Sequence, residues 1–120
     1  MAEHNELGKL GEEMAAGYLV NKGFKILDLN WRFKKEELDI VAEKNRELVF
    51  VEVKTRTHDL FETPASTVNL KKQKFLISAA DAYIKSKGLT QEGRFDIVFI
   101  VHNDSFTKID HIEHAFFPSV

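Results

Sequence analysis

Apolar and polar positions along the chain follow two periods. From Glu6 to about Lys22, Leu7, Leu10, Gly11, Met14, Ala15 and Tyr18 return every three to four residues, which predicts an amphipathic helix, and Gly23 supplies its stop. On that helix Glu13 points away from the apolar stripe. Glu12 sits at its edge near Leu19, where it can reach the surface the helix covers. Three segments rich in Ile, Val, Leu and Phe follow at 24–33, 37–43 and 47–55 and read as a strand meander. A loop holding Asp59 and Pro64 leads to a second helix from about Val68 to Ser86. Its inward stripe is Leu76, Ala79, Ala80 and Tyr83, extended toward its start by Lys72 and Gln73, and Gly88 follows its end. The run FDIVFIV at 95–101 is apolar on both faces, as in a strand covered by helices on both sides. A weaker strand at 108–113 should form an edge. The order αβββαββ predicts an α/β fold with a mixed sheet flanked by helices.

The second and third strands can be tested as a hairpin. With Asn45 and Arg46 at the tip, opposed residues have numbers that sum to 91. Leu38 then meets Val53, Ile40 meets Val51 and Ala42 meets Val49, an all-apolar face that a one-residue slip would destroy. The other face pairs Asp39 with Glu52 and Glu37 with Lys54, with Val41 and Phe50 behind them. Two carboxylates placed ~5 Å apart across strands disfavour folding by about 0.2–1 kcal/mol, so a compensating cation is expected.

Composition changes this picture little. The 120 residues are 43% hydrophobic and 30% charged, with no repeat, low-complexity tract or linker, so one domain over 1–120 is expected. No run approaches the ~20 apolar residues of a membrane span, and the N-terminus lacks a secretory pattern, so the expectation is a cytoplasmic protein with no membrane partner. The absence of cysteine excludes thiolate zinc sites and cysteine nucleophiles. A net charge of −2 argues against a generally basic nucleic-acid binder. Basic residues nevertheless cluster at Arg32, Lys34 and Lys35 and again at Lys71, Lys72 and Lys74. Such clusters are most often solvated surface.

The chemistry gathers on the hairpin. Mg²⁺, or Mn²⁺ in its place, prefers oxygen ligands and often takes only one or two carboxylates, leaving its shell to water and phosphate. Lys54 lies two residues beyond Glu52, on the same face of the strand, beside such a cation. Carboxylates, cation and ammonium together suit phosphodiester hydrolysis. The plain alternative is that Asp39 and Glu52 solvate a sheet end, with Lys54 salt-bridged to one of them. Against it, Glu52 and Lys54 interrupt the apolar run LVFVEVK, where a charge is costly unless paired or metal-bound.

The segments GKLGEEMAAGYL, ELDIVAE, LVFVEVKTR, Lys72-Gln73 and RFDIV closely resemble the YraN-like family, uncharacterised bacterial protein family 0102, a group assigned to the PD-(D/E)XK nuclease superfamily. The resemblance runs from Gly8 to Phe116. It implies a restriction-endonuclease-like three-layer α/β/α fold, similar to that of Holliday junction resolvases, and a Mg²⁺-dependent endonuclease acting on DNA, with branched or flap substrates in view. By the same resemblance Asp39, Glu52 and Lys54 match the core motif, Glu12 matches the first-helix glutamate that helps hold the metal, and Gln73 matches a polar residue of the second helix. Lys35 and Glu36 stand where many members have glycine, and Leu38 replaces the proline of the superfamily's name. A non-catalytic nucleic-acid-binding or protein-interaction module on the same fold is the alternative function.

Other constellations carry less. His111 and His114, near Asp110 and Glu113, are an odd number of residues apart, which on a strand sends the rings to opposite faces. Arg56 is either a phosphate contact or a solvated residue. Phe116 and Phe117 suit core or interface packing, and the tail His114–Phe117 offers a homodimer contact.

Overall fold

The computed structural model describes residues 2–58 and 63–118; Asp59, expected in the loop before the second helix, lies outside them. Helix α1 spans Ala2–Asn21, starting earlier than its apolar period indicates. Gly23 ends it with φ 94°, and the Phe24 amide reaches back to the Leu19 carbonyl at 3.0 Å. Helix α2, Leu70–Ser86, ends in the same way, with Gly88 at φ 63° and the Leu89 amide 3.0 Å from the Ile84 carbonyl. It starts two residues later than expected. Asn69 caps it by accepting the Lys72 amide at 2.9 Å, which leaves Val68 as a buried residue ahead of the helix.

Five strands form one sheet in the order β1 (Lys25–Phe33), β2 (Glu36–Lys44), β3 (Glu47–Arg56), β4 (Gly93–His102) and β5 (Thr107–Phe116). The β3–β4 pair is parallel, with α2 in the crossover, and the other pairs are antiparallel. This is the mixed sheet and αβββαββ order of a restriction-endonuclease-like fold, with β5 at an edge and longer than its sequence signal. A short 3-10 turn, Ala65–Thr67, precedes α2. Among the described residues no helix is long and apolar enough to cross a membrane.

The two sheet faces carry separate cores. On one, Ala15 and Leu19 of α1 pack on Ile40, Ala42, Val49, Val51, Val98 and Ile100. On the other, Leu76, Ala79, Ala80 and Tyr83 of α2 pack on Val41, Leu48, Phe50, Phe95 and Ile97. Alternation along β3 and β4 assigns each residue to its layer, and each fully buried aliphatic or aromatic side chain favours folding by about 1.5–3 kcal/mol.

The hairpin tip is as expected. Asn45 and Arg46 both have positive φ, 53° and 68°, the signature of a tight turn whose twist matches the strands. The pairs Ile40–Val51, Val41–Phe50 and Ala42–Val49 confirm the sum of 91. Beyond Ile40–Val51 the ladder stops, so Asp39 and Glu52 are not a ladder pair, and two further expectations fail there. Leu38 does not share the α1 face with Ile40; it pairs with Trp31 and packs in the α2 core. Glu37 does not meet Lys54; it pairs with Arg32 of β1, 3.6 Å away. The physical reason is a break in alternation at Asp39. Opposite it on β1, between the Leu29–Ile40 and Trp31–Leu38 pairs, stands Asn30 with φ 50°. A left-handed residue turns the chain over, so residues two apart no longer share a face.

Candidate functional site

The site lies where β2 leaves β3. Asp39 is not simply opposite Glu52 in a ladder. Its Oδ2 accepts the Val53 amide at 2.9 Å, in place of the backbone partner that the opened ladder withdraws. Its carboxylate therefore lies in the opening between the strands. Burial pushes the Asp39 carboxyl up to about 8; the charges of Glu52 and Glu12 add to this, and the Val53 amide and Lys72 oppose it.

Glu52 follows Phe50 on the α2 face of β3 and is only 4% exposed. Its Oε2 lies 3.3 Å from Lys54 Nζ and 3.6 Å from Lys72 Nζ, whereas Oε1 is buried without a hydrogen-bond partner among the described residues. An unsatisfied carboxylate oxygen in such surroundings is strongly unfavourable. Lys72, on the first turn of α2, also contacts Glu36 Oε1 at 3.1 Å. Burial works against its charge, but the carboxylates of Glu52, Glu36 and Asp39 outweigh it and raise its pKa.

Glu12 enters from the opposite face. Gly11 brings α1 so close to β3 that a Cβ there would lie 1.8 Å from Thr55 Oγ1, and the next residue, Glu12, is thereby held against the sheet. One Glu12 oxygen accepts the Asn30 side-chain amide at 2.9 Å. Asp39, Glu52, Lys54 and Lys72 are thus brought together, with Glu12 close enough to act on Asp39 by its charge. The expected three-carboxylate cluster is a pair with a neighbour, because Glu12 is turned toward Asn30. No three acidic or imidazole groups among the described residues form a ready metal shell.

Two weaker candidates make bonds to backbone carbonyls. Gln73 turns its amide to the Val68 carbonyl, 3.1 Å away, and so secures the entry to α2. Arg56, at the end of β3, contacts the Thr55 carbonyl at 3.0 Å. The two basic clusters, far apart in sequence, become neighbours. Lys72 bonds to Glu36 beside the Lys34–Lys35 turn, the rings of Phe33 and Phe75 lie 6.0 Å apart, and Lys34 and Lys72 lie over those two rings.

The donor set fits a hard divalent cation. Glu52 Oε1 lacks a partner that a cation would supply, and a cation would favour the ionised form of Asp39 that burial and Glu52 disfavour. Two carboxylates are a sufficient protein contribution for Mg²⁺.

Two residues were missed at sequence level. Asn30 holds Glu12, and its only sequence signal is a polar residue within a strand. Asp96 is fully buried on the α1 face of β4. Arg94 grips it at 2.9 and 2.8 Å, His111 Nε2 lies 2.7 Å away, and the His114 amide donates at 3.2 Å. Asp96 interrupts an apolar run just as Glu52 does, so the same signal was present. His111 is committed to Asp96, and the His114 ring stacks on Phe117 at 5.9 Å. Phe116 stacks on Phe95 at 4.9 Å, whereas Phe117 is 69% exposed.

Comparison with known proteins gives the family of the chain. Residues 11–100 match the uncharacterised protein family UPF0102, a span that includes Glu12, Asn30, Asp39, Glu52, Lys54 and Lys72. A UPF0102 protein of Phocaeicola vulgatus is 47% identical over 120 residues, covering 100% of this chain and 99% of its own. One of Bacteroides thetaiotaomicron is 50% identical over 118 residues, 98% of each chain, and one of Christiangramia forsetii is 47% identical over 117, again 98% of each. With the match spanning most of its length, the chain belongs to the uncharacterised protein family UPF0102.

Proposed function

We propose that the chain is a metal-dependent endonuclease-like protein that hydrolyses phosphodiester bonds in DNA, with Mg²⁺ or Mn²⁺ held by Asp39 and Glu52 and assisted by Glu12. The observation that carries this reading is the buried, partnerless Oε1 of Glu52 beside a second carboxylate. When bound, the cation would polarise the phosphate and lower the pKa of a water. Lys54, 3.3 Å from Glu52, then orients that water or offsets the charge that grows on the phosphate. Lys72 holds Glu52 from the α2 side and steadies its carboxylate. The joined basic clusters, with Lys34, Lys35, Lys71 and Lys74 exposed, offer phosphate contacts at the mouth of the site despite the net charge of −2.

A non-catalytic binding module is the second reading, favoured by the pairing of both site lysines to Glu52, which balances its charge without a cation. Cleavage of linear, flap, four-way and single-stranded DNA, with Mg²⁺ or with chelator, separates the two. Metal-dependent cutting that disappears in Glu52→Gln supports the nuclease. No cutting of any substrate, with Mg²⁺ or with chelator, supports the module.

A further inference from the structure

Asn30 is exposed, lies in the middle of β1 and has φ 50°, a conformation that side-chain-bearing residues rarely adopt and asparagine tolerates better than most. It occupies the register position opposite Asp39. At this pair of residues both strands turn over: Trp31 and Leu38 pack under α2, whereas Ile40, two positions from Leu38, packs under α1. The Asn30 amide crosses to α1 and donates to Glu12 Oε1 at 2.9 Å. One residue therefore sets the local geometry beside Asp39 and grips the carboxylate that approaches from the other layer. A left-handed backbone within a strand is disfavoured, and it persists where the surroundings hold it, most often at a functional site.

We propose that Asn30 is a positioning residue of the metal site, which fixes Glu12 at the edge of the Asp39–Glu52 pair from within the strand reversal. This rests on the metal-dependent reading above. The Asn30 bond occupies one Glu12 oxygen and aims the carboxylate, so that the second oxygen can serve the cation or a water on it. Glu12 is thus neither a surface charge nor a freely moving ligand.

The test is calorimetric titration with MnCl2 of the intact chain, its Asn30→Gly and Glu12→Ala variants, and the double variant. Glycine adopts positive φ without penalty, so Asn30→Gly removes the amide and leaves the strand reversal intact. Its fold is checked by urea unfolding, where a midpoint near that of the unaltered chain is expected. Mn²⁺ affinity should fall about 10-fold, the usual consequence of losing a group that orients a ligand. In the Glu12→Ala background the same change should cause no further loss, because the amide acts only through Glu12. Asn30→Asp, which faces Glu12 with a like charge, should weaken binding at least as much. Unchanged affinity in Asn30→Gly, or an equal further loss in the Glu12→Ala background, overturns the proposal and leaves the metal site standing. Absence of Mn²⁺ binding by the unaltered chain overturns both.

Discussion

Two acidic residues are buried on neighbouring strands, one register step apart, and they differ in almost every other respect. Glu52 pairs across β3–β4 with Ile97 and faces α2, whereas Asp96 pairs with Val51 and faces α1. Asp96 is fully answered by Arg94, His111 and a backbone amide. Burial alone would raise its pKa, but the hydrogen bonds from His111 and Arg94 and the Arg94 charge hold it below the usual carboxylate range. Glu52 has a partnerless oxygen, and the carboxyl beside it, Asp39, is pushed to about 8. The comparison teaches how to tell a structural buried charge from a functional one. A network complete in the protein alone serves the fold, and one that leaves a buried carboxylate oxygen unanswered has room for a ligand.

The largest effect that would break this contrast is on stability. Asp96→Ala leaves Arg94, only 10% exposed, without its main partner, and should lower the unfolding free energy by about 3–5 kcal/mol in urea titration. A loss below ~1 kcal/mol would deny Asp96 its structural role. On the proposed nuclease reading Lys54→Ala comes next, with an expected ~10²-fold loss in single-turnover cleavage rate, about 2.7 kcal/mol of barrier, and little change in DNA affinity. A loss of affinity at an unchanged saturated rate would assign Lys54 to substrate binding.

Much of this layout was legible in the sequence, for identifiable reasons. The hairpin register followed because opposed apolar residues admit a single alignment, and Asn45–Arg46 is a two-residue tip. Both helices followed from their periods and from the glycines that close them. Asn30 and the reversal at Asp39 did not, because strict alternation is an assumption about extended backbone and a left-handed residue violates it. Leu38 went to the wrong face because β2 breaks its alternation at Asp39, opposite Asn30. Within the site, Asp39, Glu52 and Lys54 were readable as charges interrupting apolar strands. Asp96 interrupts one too, but its partners come from β5 and from two residues upstream, a pairing that becomes visible only once the strands are assembled.

The comparison is sharpened further by its dependence on pH. The folded-state pKa of Asp39 is raised from 3.8 to about 8, so the native state holds this proton more tightly than the unfolded state does. Stability of the metal-free protein should therefore fall as pH rises from about 4 to about 8. Asp96, with a lowered pKa, should have the opposite sign: its contribution is present above about 4 and disappears as pH falls through its folded-state value. Asp39→Asn should abolish the first slope and leave the second. In chelator at pH 9 this variant should exceed the unaltered chain by at least the ~0.2–1 kcal/mol of a cross-strand like-charge pair. A variant less stable than the unaltered chain there would mean that the Asp39 charge makes favourable structural bonds. Saturating Mg²⁺ should reverse the ranking, since a ligand bound only by the native unaltered chain stabilises it by mass action.

The central claim is that the incomplete carboxylate pair is a cation site, and calorimetric titration of the metal-free chain with Mg²⁺ and Mn²⁺, beside Asp39→Ala, tests it most directly. The account predicts saturable heat from the unaltered chain and none from Asp39→Ala. Equal heats from both proteins, or none from either, would contradict it.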